Sequence, residues 1–150
     1  MYQSMYEEYL DSEVLTAEPI KLVQLMYRGA LDAIGGARKA LAAGDIPTRS
    51  RLITKASAIL NELALSLDHS VSPELCRNLV ELYDYMLRRL IEANTKQIEP
   101  PLIEVERLLG DVLTAWQQAG RTEHAAAPAN ARATYAGDSH SGYQPVSVAC

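Results

Sequence analysis

Cys76 and His69 are the pair in this sequence nearest to a reactive constellation. A thiol in the first turn of a helix can act as a nucleophile when a positioned base stands beside it. Cys76 meets the first condition, because Ser72-Pro73-Glu74 signals a helix start just before it. His69 is near only along the chain, and no third group orients it, so the plainer reading of Cys76 is a small buried side chain. Cys76 and Cys150 do not make a disulfide framework, and they fit a reducing cytosol. His124 and His140 lack metal-site spacing and are assigned no role. The Glu-x-x-His pattern of di-iron bundles is missing, as are a Gly-rich phosphate loop, a paired-Cys metal motif and a nucleophile elbow. A phosphotransfer bundle wants an exposed histidine in mid-helix, whereas His69 falls in a turn. These residues point to binding, with neither catalysis nor a cofactor.

The elements that position them are helices. Leu and Ala abound, Phe is absent, and the β-branched aromatic runs of strands are missing. A short acidic helix is expected over about residues 2–14, with Met5, Tyr6, Tyr9 and Leu10 at three- and four-residue spacing. Thr16 can cap the next helix, which carries Pro19 in its first turn and runs to about Ala43 before Gly44. Asp45 caps a third, with Pro47 in its opening turn, ending near Asp68. Ser72-Pro73-Glu74 opens a fourth that reaches Asn94 to Lys96, and Pro100-Pro101 opens a fifth that ends near Gly120. Residues 121–150 contain no Leu, Ile or Met and are rich in Ala, Ser, Gly and Pro. Such a segment buries too little apolar surface to offset its ordering entropy, so a disordered tail is expected beyond a 1–120 helical domain.

The formal net charge is -5, and residues 1–20 carry five carboxylates with no Lys or Arg. That acidic balance argues against nucleic acid, whose binding rests on a basic surface. An acidic start is also unlike the basic n-region of a secretory signal, and no apolar run approaches a membrane span.

The apolar faces are wider than a core needs. The third and fifth helices, opened by Asp45 and Pro100, each show one stripe: Leu52, Ala56, Ile59, Leu63 and Leu67 in the third, Leu102, Val105, Leu109, Val112 and Trp116 in the fifth. The helix ending at Ala43 has Val23, Met26, Ala30, Ile34, Ala37 and Leu41, with Leu22, Leu25 and Tyr27 outside that stripe. The helix after Ser72 has Leu75, Leu79, Leu82, Met86 and Leu90, widened by Val80, Tyr83, Leu87 and Ile91. A helix apolar most of the way round is either internal to its bundle or covers something else. The second alternative is a groove for a partner's amphipathic helix, with Met and Tyr as adaptable contacts. Leu22, Met26, Leu79, Leu82, Tyr83, Met86 and Leu90 are the candidate contact residues. Gly35-Gly36 in mid-helix fits close packing or a bend better than a contact role, and Arg88 is expected to pair with Asp84 and Glu92 on a solvated face.

One stretch is more specific than these patterns. Leu79-Val80-Glu81-Leu82-Tyr83-Asp84-Tyr85-Met86-Leu87-Arg88-Arg89-Leu90-Ile91-Glu92-Ala93-Asn94 resembles the LYDYMxRRLxxAN signature of the FliS-type flagellin export chaperones. Val14-Leu15-Thr16-Ala17-Glu18-Pro19, Leu25-Met26-Tyr27-Arg28-Gly29-Ala30, Ser66-Leu67-Asp68, Glu104-Val105-Glu106-Arg107-Leu108-Leu109 and Ala115-Trp116 resemble further segments of that family, in order over about residues 2–119. Glu18, Arg28 and Gly35-Gly36 depart from it. The resemblance implies an all-α, antiparallel up-down bundle of four long helices with a short N-terminal helix. It implies a chaperone of the bacterial cytosol that holds the disordered C-terminal segment of flagellin, blocks premature polymerisation and delivers it to the flagellar export gate. It also implicates the N-terminal tyrosines, here Tyr6 and Tyr9, in covering the groove and in gate recognition. Binding to a flagellar regulator and a homodimer without client stay open as further partners. The alternative class is a structural or regulatory helical module that self-associates through the same surface.

Overall fold

The computed structural model describes residues 19–126 and 148–149. They form four helices, α1 (Pro19–Ala43), α2 (Ile46–Leu65), α3 (Pro73–Lys96) and α4 (Pro100–Ala126), with two short segments, β1 (Leu67–Asp68) and β2 (Val148–Ala149). The predicted short helix over residues 2–14, with Tyr6 and Tyr9, and the Thr16 cap lie outside the described residues.

Local chemistry sets the boundaries. Gly44 takes a φ of +70°, and the Asp45 N–H donates to the Ala40 carbonyl at 2.9 Å, the pattern that closes a helix through a left-handed residue. Asp45 at once caps α2: its carboxylate accepts from the Thr48 N–H at 3.2 Å. Hydrogen bonding from the Thr48 side chain, and after it from this backbone N–H, holds the Asp45 carboxyl below its ordinary pKa. Pro47 fits the first turn of α2, where an N–H would lack a partner. α2 stops at Leu65 rather than Asp68, since Leu67 and Asp68 leave the helix as β1. Ser72 sits at the cap position of α3, but its hydroxyl makes no capping bond, so that expected contribution is missing. Gln97 ends α3 in the left-handed conformation at φ 55°, an exit that carries no glycine signal. α4 continues past Gly120 to Ala126. A helical glycine costs only about 1 kcal/mol relative to Ala, and Glu123, Ala125 and Ala126 favour helix beyond it. The segment expected to be disordered therefore holds the end of α4 and β2; its remaining residues lie outside the described ones.

α1 packs against α2 and α4, and α3 packs against the same two helices. Their shared core includes Val23, Tyr27 and Ile34 of α1, Ile53, Leu60 and Leu63 of α2, Tyr83, Met86 and Leu90 of α3, and Leu102, Val105 and Leu109 of α4. The buried stripes are rotated from those expected on two helices. On α1, Tyr27 is fully buried while Met26 and Leu41 are half-buried. On α3, Tyr83 and Cys76 are buried while Leu75 is 46% exposed. A buried tyrosine needs a partner for its hydroxyl, and each of these two has one.

Gly36 explains the tight approach of α1 to α2. A Cβ there would stand 2.8 Å from the Leu52 Cδ1, whereas one on Gly35 would meet nothing within 4 Å. Close packing thus accounts for Gly36 alone.

Candidate interaction surface

A polar chain crosses the core. The Tyr27 and Tyr83 hydroxyls are hydrogen-bonded to each other, and the Trp116 Nε1–H donates to the Tyr27 oxygen at 3.4 Å. The tyrosine rings lie 6.5 Å apart at 47°. Side chains from α1, α3 and α4 therefore meet at one satisfied network, which fixes the rotation of each helix. Burial is the main cause that raises both phenol pKa values, and at Tyr83 the neighbouring Tyr27 adds to it.

The bundle ends are joined by polar groups. Arg49, only 4% exposed near the start of α2, donates to both the side-chain oxygen and the carbonyl of Asn94 at 3.4 Å. The Ser50 hydroxyl donates to the same Asn94 side chain at 3.0 Å. A cation at the last carbonyls of α3 also suits that helix dipole. Arg38, late in α1, bridges Glu99 at 2.9 Å and Glu106 at 3.0 Å. On the face between α3 and α4, Arg89 pairs with Glu92 at 2.5 Å and Glu104 at 3.3 Å, and Lys96 pairs with Glu92 at 3.0 Å. It is Arg89, then, that pairs with Glu92, in place of the expected Arg88; Arg88 is exposed. Its hydrogen bond to Lys96, then that to Arg89, holds the Glu92 carboxyl below its ordinary pKa. The Tyr85 hydroxyl donates to Glu104, which raises the phenol pKa.

The candidate contact residues divide by depth. Leu22 and Met26 on α1, and Leu79 and Leu82 on α3, are half-buried. Tyr83, Met86 and Leu90 are within the core at 1% exposure or less. Tyr6 and Tyr9 lie outside the described residues. Large apolar side chains do remain in water. Leu65 at 80%, Val71 at 60% and Leu75 at 46% gather along the chain around the α2–α3 turn. Ile91 at 61% and Ile103 at 46% stand on α3 and α4, and Ile103 lines a shallow pocket with Pro100, Glu104 and Arg107. Of these, Leu75 and Ile91 were readable as part of the surplus apolar face. Leu65 and Val71 were missed, although Leu65 stands off the α2 stripe and that displacement was the available signal.

Cys76 is fully buried, as expected, but it is not a plain thiol: its sulfur is in a disulfide, which corrects the reading of two reduced cysteines. The α2–α3 turn folds back on α3, bringing the Asp68 carbonyl oxygen to 3.3 Å from the Cys76 Sγ. Among the described residues no helix is long and apolar enough to cross a membrane.

Four helices, three of them knit by a buried Tyr–Tyr–Trp network, with large aliphatic side chains left in water, define an all-helical protein. The family model described as flagellar protein FliS matches residues 1–123, and the chain belongs to that family. It is 38% identical over 110 residues to the flagellar secretion chaperone FliS of Salmonella typhimurium, covering 73% of this chain and 82% of the relative. It is 39% identical over 107 residues to the flagellar secretion chaperone FliSB of Pseudomonas aeruginosa, covering 71% and 85%. With the flagellar secretion chaperone FliS of Bacillus subtilis it shares 36% identity over 121 residues, covering 81% and 90%.

Proposed function

We propose that this chain is a flagellin export chaperone of the bacterial cytosol. It binds the disordered C-terminal segment of flagellin, keeps the subunit from polymerising early, and presents it to the flagellar export gate. The observation that carries this reading is the family match through residues 1–123, which takes in the exposed Leu65, Val71, Leu75, Ile91 and Ile103. A disordered client loses conformational entropy when it binds, so it requires a long apolar surface in return.

We infer that the four helices alternate in direction. Arg38 near the end of α1 reaches Glu99 and Glu106 at the start of α4, and Arg49 near the start of α2 reaches Asn94 at the end of α3; both pairings support that arrangement. Leu22, Met26, Leu79 and Leu82 are the client contacts at the surface. Tyr83, Met86 and Leu90 contribute as the floor beneath them, and Tyr6 and Tyr9 serve in groove cover and gate recognition. The family match and the residual exposure of the first four support this assignment.

The test is co-expression with flagellin that carries or lacks its C-terminal region. Capture of the intact form alone supports the reading, and equal capture of both overturns it. Exposed Leu65, Val71 and Ile91 would equally suit self-association. A dimer that persists when flagellin is added would favour a structural or regulatory module.

A further inference from the structure

The α2–α3 corner carries a feature the helical body does not require. β1 and β2 pair in parallel, with Leu67 opposite Val148 and Asp68 opposite Ala149. β2 also lies against α1, and β1 against α3. β2 lies beyond the residues 1–123 that match the family. So short a ladder has little stability in water by itself. A second bond supplies what the ladder lacks. Asp68, the residue facing Ala149, has its carbonyl oxygen 3.3 Å from the Cys76 Sγ. Cys76 is in a disulfide, and the sequence holds one other cysteine, Cys150, directly after Ala149.

We propose that Cys76 and Cys150 form a reversible intramolecular disulfide that latches the Val148–Ala149 segment onto the α2–α3 corner, and that reduction releases it. The register sets Ala149, the residue before Cys150 in the sequence, opposite Asp68 at the corner where Cys76 is buried, and the disulfide then holds a strand pair too short to hold itself. The oxidant is a low-molecular-weight disulfide such as oxidised glutathione. The Cys150 thiol loses its proton, and its thiolate attacks one sulfur of that disulfide and expels one small thiolate. The Cys76 thiolate then attacks the Cys150 sulfur, breaking the mixed disulfide and expelling the second. The two cysteine thiols are oxidised by two electrons, and the external disulfide is reduced to two thiols. Cys150 reacts first because Cys76 is fully buried and closed to an oxidant in solution. In the reduced state the Cys76 S–H donates to the Asp68 carbonyl. If the chain works in the cytosol proposed above, the released form is the resting one and oxidation closes the latch.

The full chain, equilibrated with reduced or oxidised glutathione and then alkylated, tests this by intact mass, peptide mapping without reductant and amide exchange. The latch predicts an oxidised monomer lighter by two hydrogens and one linked peptide pair containing Cys76 and Cys150. Amide exchange in Leu67–Asp68 and Val148–Ala149 should slow roughly tenfold on oxidation. Cys150→Ser should abolish the link and the slowing while leaving the helical circular dichroism unchanged. Disulfide-linked dimers, a glutathione adduct on Cys150 alone, or equal exchange in both redox states would each overturn it. The measurement needs no flagellin, so its failure leaves the chaperone reading untouched.

Discussion

The hydroxyls of Tyr27 and Tyr83 meet inside the bundle, joining α1 to α3, two helices that otherwise pack mainly against α2 and α4. Removing one hydroxyl leaves the other buried with fewer partners, so Tyr27→Phe or Tyr83→Phe should each cost about 1–3 kcal/mol. The double variant should lose less than the sum, because neither ring then carries an orphaned hydroxyl at that contact. Urea unfolding of all four proteins gives the cycle, and strict additivity would show that the pair does not act as a unit.

The same pair sets an alkaline limit. Both phenols have folded-state pKa values raised, chiefly by burial. A raised folded value means that the stabilisation is fully present below the unfolded tyrosine pKa of about 10 and is lost as pH rises above it. Stability should therefore fall above about pH 10. In ultraviolet titration these two tyrosines should ionise only together with loss of helical circular dichroism. Substituting both by Phe should remove much of that pH slope.

Gly35 and Gly36 should behave differently although they are neighbours. Gly35→Ala meets open space and should stabilise the chain by up to about 1 kcal/mol through helix propensity. Gly36→Ala must displace the Leu52 Cδ1 from 2.8 Å, so it should forfeit that gain or reverse it. Thermal unfolding of the two variants side by side decides the matter.

Much of this fold was legible because its signals are local. Gly44, Asp45, Pro47, Pro73 and Pro100 each act on the backbone within one turn, so the helix limits they set agree with the structure closely. Two kinds of feature escaped. The Gln97 exit uses a left-handed residue that is not glycine, and the run past Gly120 reflects how little one glycine costs a helix. The rotation of the buried faces on α1 and α3 depends on a hydrogen bond between residues far apart in sequence, which periodicity cannot supply. The surface side was less readable still. Met86 belonged to the expected groove stripe yet is fully buried, while Ile91, only a flanking residue of that stripe, is 61% exposed. Hydrophobic spacing selects a side of a helix, but it does not say which half of that side another helix will cover.

That division of α3 has its own consequence. Met86→Ala opens a cavity in the core and should cost about 2–5 kcal/mol. Leu82 is only half-buried, so Leu82→Asp should keep the helical circular dichroism and a cooperative unfolding transition while weakening flagellin capture. Loss of fold in Leu82→Asp would place that side chain with Met86 as core.

In the function proposed above, the client element is the C-terminal segment of flagellin. Calorimetric titration of a peptide of that segment into the purified chain tests it most directly. Saturable binding with a negative heat-capacity change is expected, weakened at least about tenfold by Leu82→Asp, a loss of about 1.4 kcal/mol. The proposed function would be contradicted if the peptide gave no binding while flagellin lacking that segment bound as well as the intact subunit.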